Sequence, residues 1–178
     1  MKRYLLYVGV LICLAGCDQG GPAAGFATTP AQKAQTVFNT SDKSIETNGN
    51  VLVAVDRLSG NSVDSWDAIA KTSAESISKS PYSALGKLHS ISGKVFKVEE
   101  FPPTLGLSGQ WSEVLMLADN QNSVTGVSTI DCIYSGPVDK IKSGDRATCS
   151  GYFIGTFDSQ NALGGLVESY VFVGHVKK

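Results

Sequence analysis

Excess basic charge, histidine and long apolar stretches are all scarce in this sequence. Lys and Arg total 15 against 16 Asp and Glu in 178 residues, so no surplus of positive charge marks the chain for nucleic acid. Two histidines and four scattered cysteines leave little material for a metal site. There is no Gly-Lys-Ser/Thr phosphate loop. None of Ser92-Gly93, Ser135-Gly136 and Ser150-Gly151 sits in a Gly-x-Ser-x-Gly elbow. Glu99 and Glu100 are adjacent, and strand neighbours point to opposite faces, which argues against shared acid–base work. His89 and His175 have no partner at a fixed spacing and read as strand residues. A non-enzymatic protein without cofactor or metal is expected.

What is present is enough for a core. Hydrophobic residues make up 42% and charged residues 17%, which excludes wholesale disorder. The length suits one domain with extensions. The 19 glycines fit a short-stranded β protein with many turns.

Lys2 and Arg3 precede an apolar run, Tyr4 to Leu14. A bilayer core of about 30 Å needs around 20 such residues, so the run reads as a signal peptide, not a span. It ends in Leu14-Ala15-Gly16-Cys17, which resembles the lipobox of bacterial lipoproteins at all four positions. The resemblance implies cleavage after Gly16, a diacylglycerol on Cys17 and a membrane anchor, since each buried methylene contributes about 0.8 kcal/mol. Asp18 resembles the signal that retains such proteins at the inner membrane. The expected location is the periplasmic face of that membrane.

Residues 1–16 are thus a signal peptide and 17–50 a lipidated flexible tether, because Phe26, Val37, Phe38 and Ile45 are isolated and no period persists. Residues 51–178 form the folded domain. Val51 to Val55 is a strand or a helix start. A helix follows, with Val63, Trp66, Ala70, Ala74 and Ile77 on one face, Ser62 or Asp64 as its cap and Pro81 as its stop. Trp66 on this stripe is expected in the core. From Gly86 the period becomes 2, and strands are expected over 87–101, 111–118, 123–134, 146–157 and 166–176, with a bend or bulge at Gly93.

Five strands, a glycine in the first and a short excursion between the third and fourth suggest an OB-fold barrel. Residues 86–178 resemble the OB-fold domain of small bacterial lipoproteins of the tRNA-anti-like kind. The similarity is carried by Gly86-Lys87 with Ile91-Ser92-Gly93-Lys94-Val95, and by Ser143-Gly144-Asp145-Arg146 running into Gly151-Tyr152-Phe153. The fold implied is mainly β, a five-stranded barrel preceded by one amphipathic helix.

Cys13 leaves with the signal peptide, and Cys17 takes lipid. Cys132 and Cys149 remain as an even pair in an oxidising compartment, so a disulfide is the default. In an OB barrel it ties across the barrel or closes one end. A redox pair lacks the Cys-x-x-Cys spacing, and a metal site would need His89 or His175 to reach both thiols.

Nucleic acid would require a basic groove with exposed aromatics. Arg146, Lys140 and Lys142 with Tyr134, Tyr152 and Phe153 could supply one, but net acidity and an envelope location oppose it. The aromatics are expected to fill the barrel, and nucleic acid is not expected as a partner. OB barrels bind through the loops after the first and fourth strands. Here these loops carry Leu105 and Leu107, and Leu163 and Leu166, with Trp111 at a strand entrance. Exposed apolar clusters mark partner sites. The expected function is a membrane-tethered module recognising an envelope protein or peptide. The alternative is an envelope OB-fold protein that binds nucleic acid or oligosaccharide.

Overall fold

The structure, a computed structural model, describes residues 36–60, 63, 65–100, 111–119, 128–136, 140–160 and 166–178. The signal peptide, Cys17, Asp18, Leu105, Leu107 and Leu163 lie outside these residues. No helix among the described residues is long and apolar enough to cross a membrane.

Period-2 burial builds the strands. In β2 (Trp111–Ala118) the buried Ser112, Val114, Met116 and Ala118 alternate with Glu113, Leu115 and Leu117. The other strands are β1 (Leu88–Glu100), β3 (Thr129–Ser135), β4 (Arg146–Gln160) and β5 (Leu166–Lys177). They close in the order β1-β2-β3-β5-β4. Neighbours are antiparallel except β3 and β5. This is the expected five-stranded OB-fold barrel.

β1 serves two partners. Its first half pairs with β4 and its second half with β2, and Gly93 belongs to both, opposite Ala147 and Ala118. A Cβ at Gly93 would collide with the Leu117 carbonyl, so the strand crosses over where it has no side chain. The register slips two residues later, between Val95 and Lys97.

The barrel interior holds Ile91, Val95, Val114, Met116, Ile130, Tyr134, Phe153, Tyr170 and Phe172. The Cys132–Cys149 disulfide runs through it with a Cα–Cα distance of 6.1 Å. It joins β3 to β4 across the intervening β5, as the sequence implied. Two short helices before β1, α3 (Ala74–Lys79) and α4 (Pro81–Ala84), send Ala74, Ile77 and Ala84 into the same cluster.

A second apolar layer lies outside the barrel. Ile133, Ile154, Val171 and Val173 point outward from β3, β4 and β5, yet are buried beneath Phe38, Val53 and Ala54. The cover comes from residues 36–43 and from α1 (Ile45–Asn48) and α2 (Asn50–Gly60). Each fully buried aliphatic side chain contributes about 1.5–3 kcal/mol. With both faces covered, Tyr170 to Val173 are all buried, and the alternation disappears there.

Two expectations need correction. The folded part already includes Phe38, Asn48 and Asn50, ahead of residue 51. Phe38 and Ile45 fill gaps over a sheet, so they form no stripe of their own, and the buried Asn48 and Asn50 donate to the Ile154 carbonyl at 2.9 and 3.2 Å. The single helix over 62–80 is also broken. Trp66–Ala68 is one 3-10 turn. Residues 70–72 then run extended, with Thr72 N–H donating to the Ser90 carbonyl at 2.8 Å and Ser90 N–H donating to the Ala70 carbonyl at 3.1 Å. Thr72 and Ser73 favour such non-helical conformations. Ser73 caps α3 by accepting from Ser76 N–H at 3.1 Å; α3 ends at Lys79, ahead of Pro81 as expected, and Pro81 then opens α4.

Candidate functional site

The extended segment after Trp66 stands beside the outer face of β1, β4 and β5 and makes one wall of a groove of about 960 Å³. The strand register lays out its floor. Ser92, Thr148 and Lys177 form one cross-strand row, and Ser90, Ser150 and His175 the next. The hydroxyls pair across the strands: Ser92 Oγ lies 2.8 Å from Thr148 Oγ1, and Ser150 Oγ donates to Ser90 Oγ at 3.0 Å. The floor is therefore polar, satisfied and held on rigid strands.

Charge gathers around this floor. Lys71, Arg146, Lys177 and Lys178 line the groove with Asp67 and Asp119. Asp67 takes Lys177 Nζ at 2.9 Å, Asp119 takes Arg146, and Asp145 takes Lys178 Nζ at 3.0 Å. The bond from Lys178, followed by the Lys142 backbone N–H, holds the Asp145 carboxyl below the ordinary carboxylate value. Lys71 makes no ion pair among the described residues. Trp66 supplies the aromatic surface, stacked on His175 with ring centroids 5.6 Å apart. Trp66 is partly exposed and packs in neither apolar cluster, which corrects its expected place in the core. It left the stripe when the helix broke at residues 69–73.

The face usually presented by OB barrels, on strands two and three, has the opposite character here. Glu99 lies opposite Glu113, and Leu115 opposite Asp131. Lys97 is the cation beside them and binds Glu99 at 2.6 Å. Asp131 Oδ1 is buried without a hydrogen-bond partner among the described residues. Burial, reinforced by its contact with Glu113, pushes the Asp131 carboxyl well above the ordinary carboxylate value. An anionic ligand would be repelled from this face.

The other sequence candidates fall elsewhere. Trp111 is partly buried and packs against the outer apolar layer. Leu166 begins β5. His89 lies in β1 and His175 in β5. Burial lowers the His89 pKa, and its Nε2 has no partner among the described residues. Tyr134 and Phe153 fill the barrel as expected, and Tyr152 packs on Phe38 with centroids 5.3 Å apart. Of the basic set read from sequence, Arg146 reaches the groove and Lys140 and Lys142 do not. No group of three His, Cys, Asp or Glu among the described residues is disposed to hold a metal ion. The groove itself was missed. Its signal was the alternation Ser90/Ser92 and Arg146/Thr148/Ser150, which puts hydroxyls and a cation on one face of two paired strands.

No family model and no curated protein matches the sequence. Among solved structures, the chain is similar to Schizosaccharomyces pombe Pot1pC bound to single-stranded DNA, at 14% identity and a TM-score of 0.26, covering 53% of this chain and 79% of that one. It is also similar to the second OB-fold domain of replication protein A from Methanococcus maripaludis, at 19% identity and a TM-score of 0.28, covering 53% of this chain and 83% of that one. The expectation that nucleic acid is not a partner is corrected. It rested on charge averaged over the whole chain, whereas four cations converge on one groove.

Proposed function

We propose that this chain is a lipid-anchored envelope protein whose OB-fold barrel binds single-stranded nucleic acid, without catalysis, in the groove between the Trp66 segment and β1, β4 and β5. The observation that carries this reading is the pairing of an aromatic platform, Trp66, with Lys71, Arg146, Lys177 and Lys178 over a hydroxyl floor. Single strands are bound by cations that follow the phosphates and by aromatic faces that stack bases. Lys71 comes from the segment after Trp66, Arg146 from β4, and Lys177 and Lys178 from the end of the chain, so a strand lying along the groove meets several at once. The acidic cluster at Glu99, Glu113 and Asp131 favours this groove over the face on strands two and three.

Fluorescence anisotropy of a labelled oligothymidylate, titrated with the full chain in detergent over a range of salt, tests the proposal. Binding should weaken with salt at a log–log slope of about −2 to −3, as release of three or four counterions requires. Absence of binding at low salt would overturn it, and saturable, salt-independent binding of a neutral oligosaccharide would replace it. The anchor is supported by Leu14-Ala15-Gly16-Cys17, and the resemblance to lipoproteins of the tRNA-anti-like kind by the residues flanking Gly93 and Gly151. Palmitate incorporation that disappears in Cys17→Ser is the expected result for the anchor.

A further inference from the structure

We infer that Asp67 and Asp119 set the specificity of the groove by occupying its cations in place of the ligand, so that only a polyanion displaces them. This inference rests on the groove being the ligand site.

The geometry is a pair of internal counter-charges, one in the Trp66 segment and one just beyond β2. Asp67, in the 3-10 turn, receives Lys177 Nζ on both carboxylate oxygens at 2.9 Å, reaching from the Trp66 segment to β5. Asp119, just beyond β2, binds Arg146 at the start of β4. Both carboxylates line the groove. Each offers to a cation the same negative oxygens that a phosphate would.

A single anion entering the groove gains little. At Lys177 or Arg146 it meets a cation already neutralised by a carboxylate, and it must push that carboxylate aside or share the cation with it against their mutual repulsion. Of the four groove cations, only Lys71 makes no ion pair among the described residues. A strand that presents several linked phosphates changes the balance. Contact at Lys71 raises the local concentration of the next phosphate at Lys177 and Arg146. The Lys177–Asp67 pair lies at the surface, with side-chain exposures of 61% and 72%, and such pairs yield readily; in the Arg146–Asp119 pair Arg146 is 71% exposed and Asp119 23%. The carboxylates thereby reject free phosphate and mononucleotides while admitting a polymer.

The test uses the full chain in detergent, as wild type and as Asp67→Asn, Asp119→Asn and the double variant. The probes are labelled oligothymidylate and, as a competitor, inorganic phosphate. Neutralising the carboxylates should tighten oligothymidylate binding by about three- to tenfold in the double variant. Phosphate, a weak competitor for wild type, should compete at clearly lower concentration. If wild type binds and the variants bind equally or more weakly, the carboxylates only fix the fold and this inference fails while the groove stands. If neither wild type nor any variant binds, the groove assignment fails and takes this inference with it. Should Asp119→Asn unfold, Asp67→Asn alone decides, because its exposed side chain is dispensable for packing.

Discussion

Trp66 lies over His175 with ring centroids 5.6 Å apart and planes inclined by 25°. The contact joins the segment before the barrel to its last strand. It also leaves Trp66 partly exposed at the groove wall, fixed in orientation before a ligand arrives.

That placement predicts how Trp66 variants behave. Trp66→Ala should weaken binding of oligothymidylate by about 1–3 kcal/mol, the range for one stacked base. Its Tm should fall by only a few degrees, because Trp66 belongs to neither buried cluster. Trp66→Phe should keep most of the affinity. Anisotropy and thermal melts on the same samples separate the effects. Equal affinity in Trp66→Ala would show that bases stack elsewhere.

Asp131 predicts a pH dependence of stability. Burial first, then Glu113, raises its pKa in the folded chain, with Glu99 adding to the effect and Lys97 opposing it. The folded state therefore keeps this proton to higher pH than the unfolded chain does. Stability from Asp131 is fully present below the ordinary carboxylate value and is lost as pH climbs through the raised one. Asp131→Asn should remove that loss and raise Tm at neutral pH, with little gain in acid. Melts across the pH range check it. A variant that is less stable at neutral pH, with the wild-type slope unchanged, would contradict this account.

How much of this was legible in the sequence depended on what set each residue's environment. The barrel strands alternate because their inner face is buried by their own sheet, and that pattern is local. Cys132 and Cys149 were paired from compartment and count, which needs no geometry. Asn48, Asn50 and Phe38 were unreadable because their burial depends on strand β4, about a hundred residues further along the chain. Trp66 was misplaced for a related reason. Helical periodicity linked it to Ala74 and Ile77, but residues 70–72 gain backbone bonds to Ser90 that a helix would forgo. The groove spans three strands and the Trp66 segment, so no single stretch of sequence contains it.

The disulfide gives a third prediction. Cys132 and Cys149 are fully buried and 17 residues apart in sequence, and closing a loop of that size contributes about 3 kcal/mol. The Cys132→Ala, Cys149→Ala double variant should unfold at lower denaturant by that order and still bind oligothymidylate once folded, because neither sulfur lines the groove. Equilibrium denaturation with and without reductant checks it: reductant should destabilise wild type and leave the double variant unchanged.

The outer layer hangs on Asn50. Its Oδ1 accepts from Asn39 N–H at 2.8 Å, and its Nδ2 donates to the Asn39 and Ile154 carbonyls at 3.0 and 3.2 Å. The residue is 0% exposed, so water cannot replace these bonds. Beside it, Gly155 has φ 143°, and a Cβ there would collide with the Lys43 carbonyl. The chain before the barrel thus locks onto β4 here, next to the Ser44–Thr156 bridge. Asn50→Ala should cost about 2–4 kcal/mol, since each buried polar group left unpaired costs roughly 1–3 kcal/mol and the losses are not additive. Asn50→Asp should cost more, although it is nearly isosteric. It keeps the acceptor for Asn39 N–H but turns a negative oxygen toward two carbonyls in a buried site. The ranking wild type, then Ala, then Asp in denaturation midpoint is the expected result. If Asp proves the milder change, the amide is not the donor to those carbonyls, and the lock must be sought in the apolar contacts of Phe38 and Val53.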